Sequence, residues 1–202
     1  MKGKRRFTSL IICLMVMSSL PANAQKGNKD IAFDEALMDA RKVSDQLAEK
    51  FRGLLLQEIG KGGVSSAVRV CSELAQEITL QLSAGTGHQV RRISLKYRNP
   101  MNIPDAYEQR KLEEFNVLNQ KKELSNEYSE IIEEHGKRSL RYLRPLIVAP
   151  LCITCHGPKE NIPQEVKTIL ADRYPDDRAT GFLVGDVRGA ITVKIPIAEG
   201  KR

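Results

Sequence analysis

The chain has 202 residues, with 32 Lys and Arg against 25 Asp and Glu for a formal charge of +7, and no Trp. Four of those basic residues (Lys2, Lys4, Arg5, Arg6) and no acid fall within the first 24, so the remaining 178 residues carry 28 basic against 25 acidic groups, or +3. That near-balance, with few aromatics and no nucleic-acid-binding signature, excludes a nucleic-acid-binding surface and leaves one domain with a proper core.

Met1 to Arg6 forms a basic n-region, Phe7 to Leu20 an apolar core, and Pro21-Ala22-Asn23-Ala24 ends in an A-x-A cleavage site. The apolar run is too short for a comfortable membrane span. Cys13, preceded by Leu10-Ile11-Ile12, lacks the small residue that precedes a lipidated cysteine. Residues 1–24 therefore read as a secretory signal cleaved after Ala24. Residues 25–202 read as one exported domain, expected in the periplasm without stable membrane insertion.

Beyond a polar start, Leu37, Ala40, Val43, Leu47, Phe51, Leu54 and Leu55 recur at three- and four-residue steps, which predicts a long amphipathic helix from Asp30 to about Ile59. Gly60, Gly62 and Gly63 end it. Val64, Ala67, Val68, Cys71, Leu74, Ala75, Ile78 and Leu82 predict a second helix over Val64 to Leu82, with Cys71 inside its apolar stripe. A Gly-rich loop at 83–87 leads to a strand over Val90 to Tyr97. Asn99-Pro100 and Pro104-Asp105 are breakers, and Asp105 with Glu108 forms a capping box that opens a further helix. Glu127 to Val148 reads as a hairpin turning at His135-Gly136, Pro163 to Ala171 as a short helix, and Gly189 to Ile197 as a closing strand. Helices first and mostly strands later imply an α+β fold, an antiparallel sheet with the N-terminal pair of long helices packed against it.

Cys152-Ile153-Thr154-Cys155-His156 is the C-x-x-C-H signature of c-type haem attachment. Two intervening residues let both thiols reach one macrocycle from a single helical turn, and the adjacent imidazole faces the iron. An export signal agrees with it, because such attachment happens outside the bacterial cytoplasmic membrane. Competing readings are a local disulfide, a thioredoxin-type pair, which wants a βαβ context, and half a zinc site, for which only Cys71, His88 and His135 remain as ligands. One covalent haem per chain is the expectation, with Cys152, Cys155 and His156 holding it.

With Cys13 removed and Cys152 and Cys155 consumed, Cys71 is a single thiol in an oxidising compartment. Spacing alone makes it a small buried hydrophobe, whereas iron ligation would protect it from oxidation. His88, His135 and Met101 are the other residues able to supply a sixth ligand.

Several segments together resemble a family of exported single-haem proteins. They are Tyr97-Arg98-Asn99-Pro100 with Asn102, Pro104 and Asp105; Arg144-Pro145-Leu146 leading to Cys152–Gly157; Tyr174-Pro175-Asp176-Asp177; and Gly181-Phe182 with Gly185–Ala190. That family is known largely as a domain of unknown function, found alone and as the sensory region of membrane-bound signalling proteins. The resemblance spans essentially the whole chain after the signal. It implies a PAS-like sheet behind an N-terminal helical part, and a redox- or ligand-sensing role. It also implies that Cys71 is the second axial ligand, beside His156 on the metal. Arg98, Arg144 and Arg188 are candidate propionate partners, and Arg98 and Arg144 lie in the resembling segments. The leading expectation is a sensor, not an enzyme, whose signal passes to a separate periplasmic or membrane partner. A soluble single-haem electron carrier is the alternative, and a peroxidase-like enzyme, which would need an acid or base beside an open iron, comes last.

Overall fold

The computed structural model describes residues 22–197; all but the last three residues of the expected signal, 1–24, lie outside the described residues. The chain opens with α1 (Ala22–Thr86), which is two helical arms joined at a sharp break. Gly62 (φ −145°, ψ 20°) and Gly63 (φ 72°, ψ −169°) leave the helix there. A side chain disfavours the Gly63 conformation, and a Cβ on Gly62 would lie 2.8 Å from that of Ser66. Glu58 clasps the break, accepting from Ser66 Oγ at 3.1 Å and Lys61 Nζ at 3.2 Å. The arms fold back on one another: Leu47 and Phe51 of the first pack in one cluster with Ile78 and Leu82 of the second. The pair of helices read from sequence is present, the first arm starting eight residues before Asp30 and the second ending four residues after Leu82.

The sheet is four-stranded and antiparallel in the order β1-β4-β3-β2: β1 (Gln89–Ile93), β2 (Tyr128–Glu134), β3 (Lys137–Ile147) and β4 (Val187–Pro196). The β2–β3 hairpin turns where expected, with His135 (φ 52°) and Gly136 (φ 71°) both left-handed, as a two-residue hairpin loop requires. Alternation along the strands creates two buried faces. Val90, Leu140, Tyr142, Ile191, Val193 and Ile195 face α1. Ile93, Leu143 and Ala190 face α2 (Ala106–Lys121) through Leu112 and Phe115. The α+β expectation is met, with helices on both faces rather than one.

The capping box of α2 forms as read: Asp105 Oδ1 accepts from Glu108 N at 2.7 Å, and Glu108 Oε2 accepts from Asp105 N at 2.9 Å. One local reading is corrected. β1 ends at Ile93 instead of running to Tyr97, and Gly189 of β4 crosses there so close that a Cβ on it would stand 2.1 Å from Ile93 O. The motif forms a single helical turn as read, α3 (Ile153–His156), entered through a 3-10 turn, Pro150–Cys152. The last helix, α4 (Gln164–Arg173), packs Val166 and Leu170 against Val68 of the second α1 arm.

Candidate functional site

The site is built between the end of β3, the second α1 arm and the segment that leads into β4. Val148 pins its entrance, donating from N to Asp186 O and accepting at O from Gly185 N, both at 2.9 Å. The single turn of α3 then sets Cys152 and Cys155 three residues apart, on one side of the turn. Both thiols, and that of Cys71, are free of disulfide. Gly157 closes the turn under tight constraint, since a Cβ there would lie 2.6 Å from Ile153 O.

A strap over residues 177–182 covers the turn. Phe182 N donates to His156 O at 2.9 Å and Gly181 N to Gly157 O at 2.8 Å. His156 Nδ1 lies 2.7 Å from Ala179 O. The carbonyl can only accept, so Nδ1 carries the proton and Nε2 keeps its lone pair. This is the arrangement in which a backbone oxygen orients a metal-binding imidazole. Burial, then the positive charges of Arg188 and Arg98, hold the His156 pKa well below its usual value, so the ring is neutral at pH 7. The Phe182 ring stands edge-on to the imidazole, centroids 6.3 Å apart.

Arg98 anchors the strap. Its Nη2 donates to Cys155 O at 2.6 Å and its Nε to Asp177 Oδ2 at 3.0 Å, while Asp177 Oδ1 accepts from Ala179 N at 2.8 Å. The residue that presents the acceptor to His156 is thereby tied to the motif through two side chains. Arg98 thus meets the motif, but as a brace between protein groups.

Cys71 lies on the second α1 arm, three residues after Val68, which packs in one cluster with Cys155. Burial raises the pKa of both thiols, against the opposing pull of Arg98 at Cys155 and of Arg92 at Cys71. The fold thus brings the Cys71 arm against Cys155. Arg144 is placed apart from the motif: it faces the first α1 arm and pairs with Asp45, two strands from Arg92 across Ile191. His88 sits 4.0 Å from Asp39 at the open end of the helical hairpin, about 22 Å of helix beyond Cys71. His135 is in the exposed β2–β3 turn, and Met101 is 56 % exposed. Among the described residues no group of three or more His, Cys, Asp or Glu is arranged to hold a metal ion.

Sequence reasoning missed Arg92. It alternates in step with Val90, so it points from β1 towards α1, where its guanidinium lies 4.3 Å over the Phe51 ring. Arg188 is the extra residue of a β-bulge: Leu146 pairs with Gly189 and Ile147 with Val187, which leaves Arg188 unpaired and turned towards the site. The alternation of β1 was a usable signal for Arg92; the bulge is visible only once β3 and β4 are paired.

The donor set fits the group read from the motif. Cys152 and Cys155 supply two unpaired thiols on one turn, His156 an oriented nitrogen, and Cys71 a further sulfur.

A family model described as Tll0287-like matches residues 21–196. No curated protein matches the chain. Among solved structures, the chain is similar to the crystal structure of the cyanobacterial haem protein Tll0287. The identity is 29 %, the TM-score 0.63, and the match covers 83 % of this chain and 98 % of that one. With nearly all of its described length matched by the family model, the chain belongs to the Tll0287-like family.

Proposed function

We propose that this protein is an exported c-type haem protein that senses redox state or a small ligand. Cys152 and Cys155 would hold the haem covalently through their thiols, and His156 Nε2 and the Cys71 sulfur would be the protein's donors to its iron. The single observation that carries the reading is the His156 Nδ1 contact with Ala179 O, beside two free thiols on the same turn. Membership of a family that contains a haem protein agrees with it. Bound haem would supply the redox and ligand-binding centre.

The chain's own part is to hold, orient and bias that group. Arg98 and Asp177 fix the carbonyl that orients His156, and Phe182 limits rotation of the imidazole. A Cys71 thiolate held against the iron would favour the ferric state, and the second α1 arm that carries Cys71 would be the element that passes a change at the site to a separate partner. Binding rather than catalysis is the proposed role, because the carboxylate beside the motif, Asp177, is engaged by Arg98 and Ala179 N and is not free to move a proton. Action in the periplasm, after removal of residues 1–24, belongs to the same proposal. No helix among the described residues is long and apolar enough to cross a membrane.

The test is the visible and electron-paramagnetic spectrum of the mature protein from a host with haem-maturation machinery, compared with Cys71→Ala. Low-spin thiolate features that vanish in the variant, with carbon monoxide binding after reduction, support the sensor. Unchanged spectra with no carbon monoxide binding would make Cys71 a core residue and the protein an electron carrier.

A further inference from the structure

We propose that Arg92 and Arg188 are the residues that bind the two haem propionates; the inference rests on the haem reading above and assigns the partners of its anionic edge. Three partly buried guanidiniums surround this part of the fold: Arg98 donates to Cys155 O, Arg188 lies 5.3 Å over the Phe182 ring that stands against His156, and Arg92 lies 4.3 Å over Phe51 of α1. Asp177 compensates Arg98 at 3.0 Å. Among the described residues, Arg92 and Arg188 have no carboxylate partner, so two positive charges stand uncompensated in the interior.

Their hydrogen bonding is also incomplete. The Nε–H groups of both are buried and meet no acceptor. Arg188 Nη1 donates to Ser94 Oγ at 2.7 Å and Lys96 O at 3.1 Å, while Arg92 rests on the Phe51 ring. Arg141 leaves its Nε unpartnered too, yet its Nη2 has Asp105 at 2.9 Å and Glu108 at 3.4 Å. An unpaired guanidinium in the interior carries a desolvation cost that only an opposite charge offsets.

Burial, with the nearby charges of Arg98 and Arg92, pulls the Arg188 pKa down to about 10, still charged at pH 7. Haem brings two carboxylates, which equals the excess. A guanidinium accepts a carboxylate in a two-bond fork, and Nε–H is one prong of it. The bulge that turns Arg188 inward, and the alternation that turns Arg92 inward, are thus the fold's means of presenting two forks to one ligand.

The experiment uses the mature haem-loaded protein and its variants Arg92→Gln, Arg188→Gln, Arg92→Lys and Arg188→Lys, with Arg173→Gln as control. Arg173 pairs with Glu73 on the surface, at a half-exposed site. Two readouts are taken: the midpoint potential, and the propionate bending band in the resonance Raman spectrum. Each Gln variant is expected to lower the potential, because losing a nearby positive charge favours ferric iron, and to shift the band. Each Lys variant keeps the charge, so the potential stays near that of the parent while the band still shifts; it carries the test if a Gln variant does not fold. The control moves neither. A parent protein with a covalent haem spectrum, whose band is unmoved by either Lys variant, overturns this assignment alone. A parent with no haem spectrum overturns the haem reading and this assignment with it.

Discussion

Arg91 and Arg92 are consecutive on β1, point to opposite faces of the sheet, and have opposite surroundings. Arg91 meets Glu108 at 2.8 Å on the α2 face, inside a network in which Arg141 reaches Asp105 and Glu108 and Lys111 reaches Glu130. Arg92, on the α1 face, has an aromatic ring and no carboxylate. On the first face the chain supplies both signs of charge, and the network serves the fold. On the second, Arg144 has Asp45, but Arg92 has no ion-pair partner among the described residues. That difference underlies the propionate assignment: a charge balanced inside the fold serves the fold, and one left unbalanced is open to a ligand.

The largest expected effect falls on the site. Replacing Cys152 and Cys155 together by Ser should abolish covalent attachment, so that acid-acetone extraction removes all pigment, while the β-sheet circular dichroism persists. Next comes the balanced face. Glu108 is 2 % exposed and accepts from Arg91 and from Asp105 N, with Arg141 also in range. Glu108→Gln should therefore cost about 3–5 kcal/mol in denaturant unfolding, the usual loss when a buried pair loses one partner. It should leave the visible spectrum unchanged. A spectral change in that variant would break the separation between the two faces.

Arg98→Ala sits between these. It frees the strap that presents Ala179 O, and is expected to cost about 1–3 kcal/mol for the unsatisfied Cys155 carbonyl and the stranded Asp177. Unlike Glu108→Gln, it should also perturb the haem spectrum, because the imidazole loses its fixed acceptor. The smallest effect is an acid one. Burial pushes the Asp105 carboxyl up, but the Glu108 N–H and Arg141 outweigh it and hold its pKa below the usual 3.8. Because the folded pKa is the lower one, the stabilisation is full above the unfolded value and lost as pH falls through the folded value. Denaturation midpoints measured from pH 5 to pH 2 should fall less steeply in Asp105→Asn than in the parent.

Features built from local contacts were the more legible ones in sequence. The Asp105–Glu108 capping box, the His135-Gly136 turn and the glycine break between the long helices all rest on contacts within a few residues, so spacing reveals them. The site is made of long-range placements. Ala179 O lies 23 residues beyond His156 and has no local signature. Arg188 is turned inward by a bulge defined by pairing with β3, and β1 stops at Ile93 because a glycine about a hundred residues later crosses it. Arg144 resides in a resembling segment, yet strand alternation carries it to Asp45. Spacing therefore found the groups that attach within one turn, and Arg98 and Arg188 were already candidates in sequence; Arg92 and Ala179 O were not, because tertiary structure brings them into place.

The most direct test of the central claim is the mass and pyridine haemochrome spectrum of the mature protein, made in a host with c-type maturation and freed of loose pigment by acid-acetone. The account expects the mass of residues 25–202 plus one haem, with the spectrum of a haem bound through two thioethers. A protein of unmodified mass with both Cys152 and Cys155 as free thiols would contradict it.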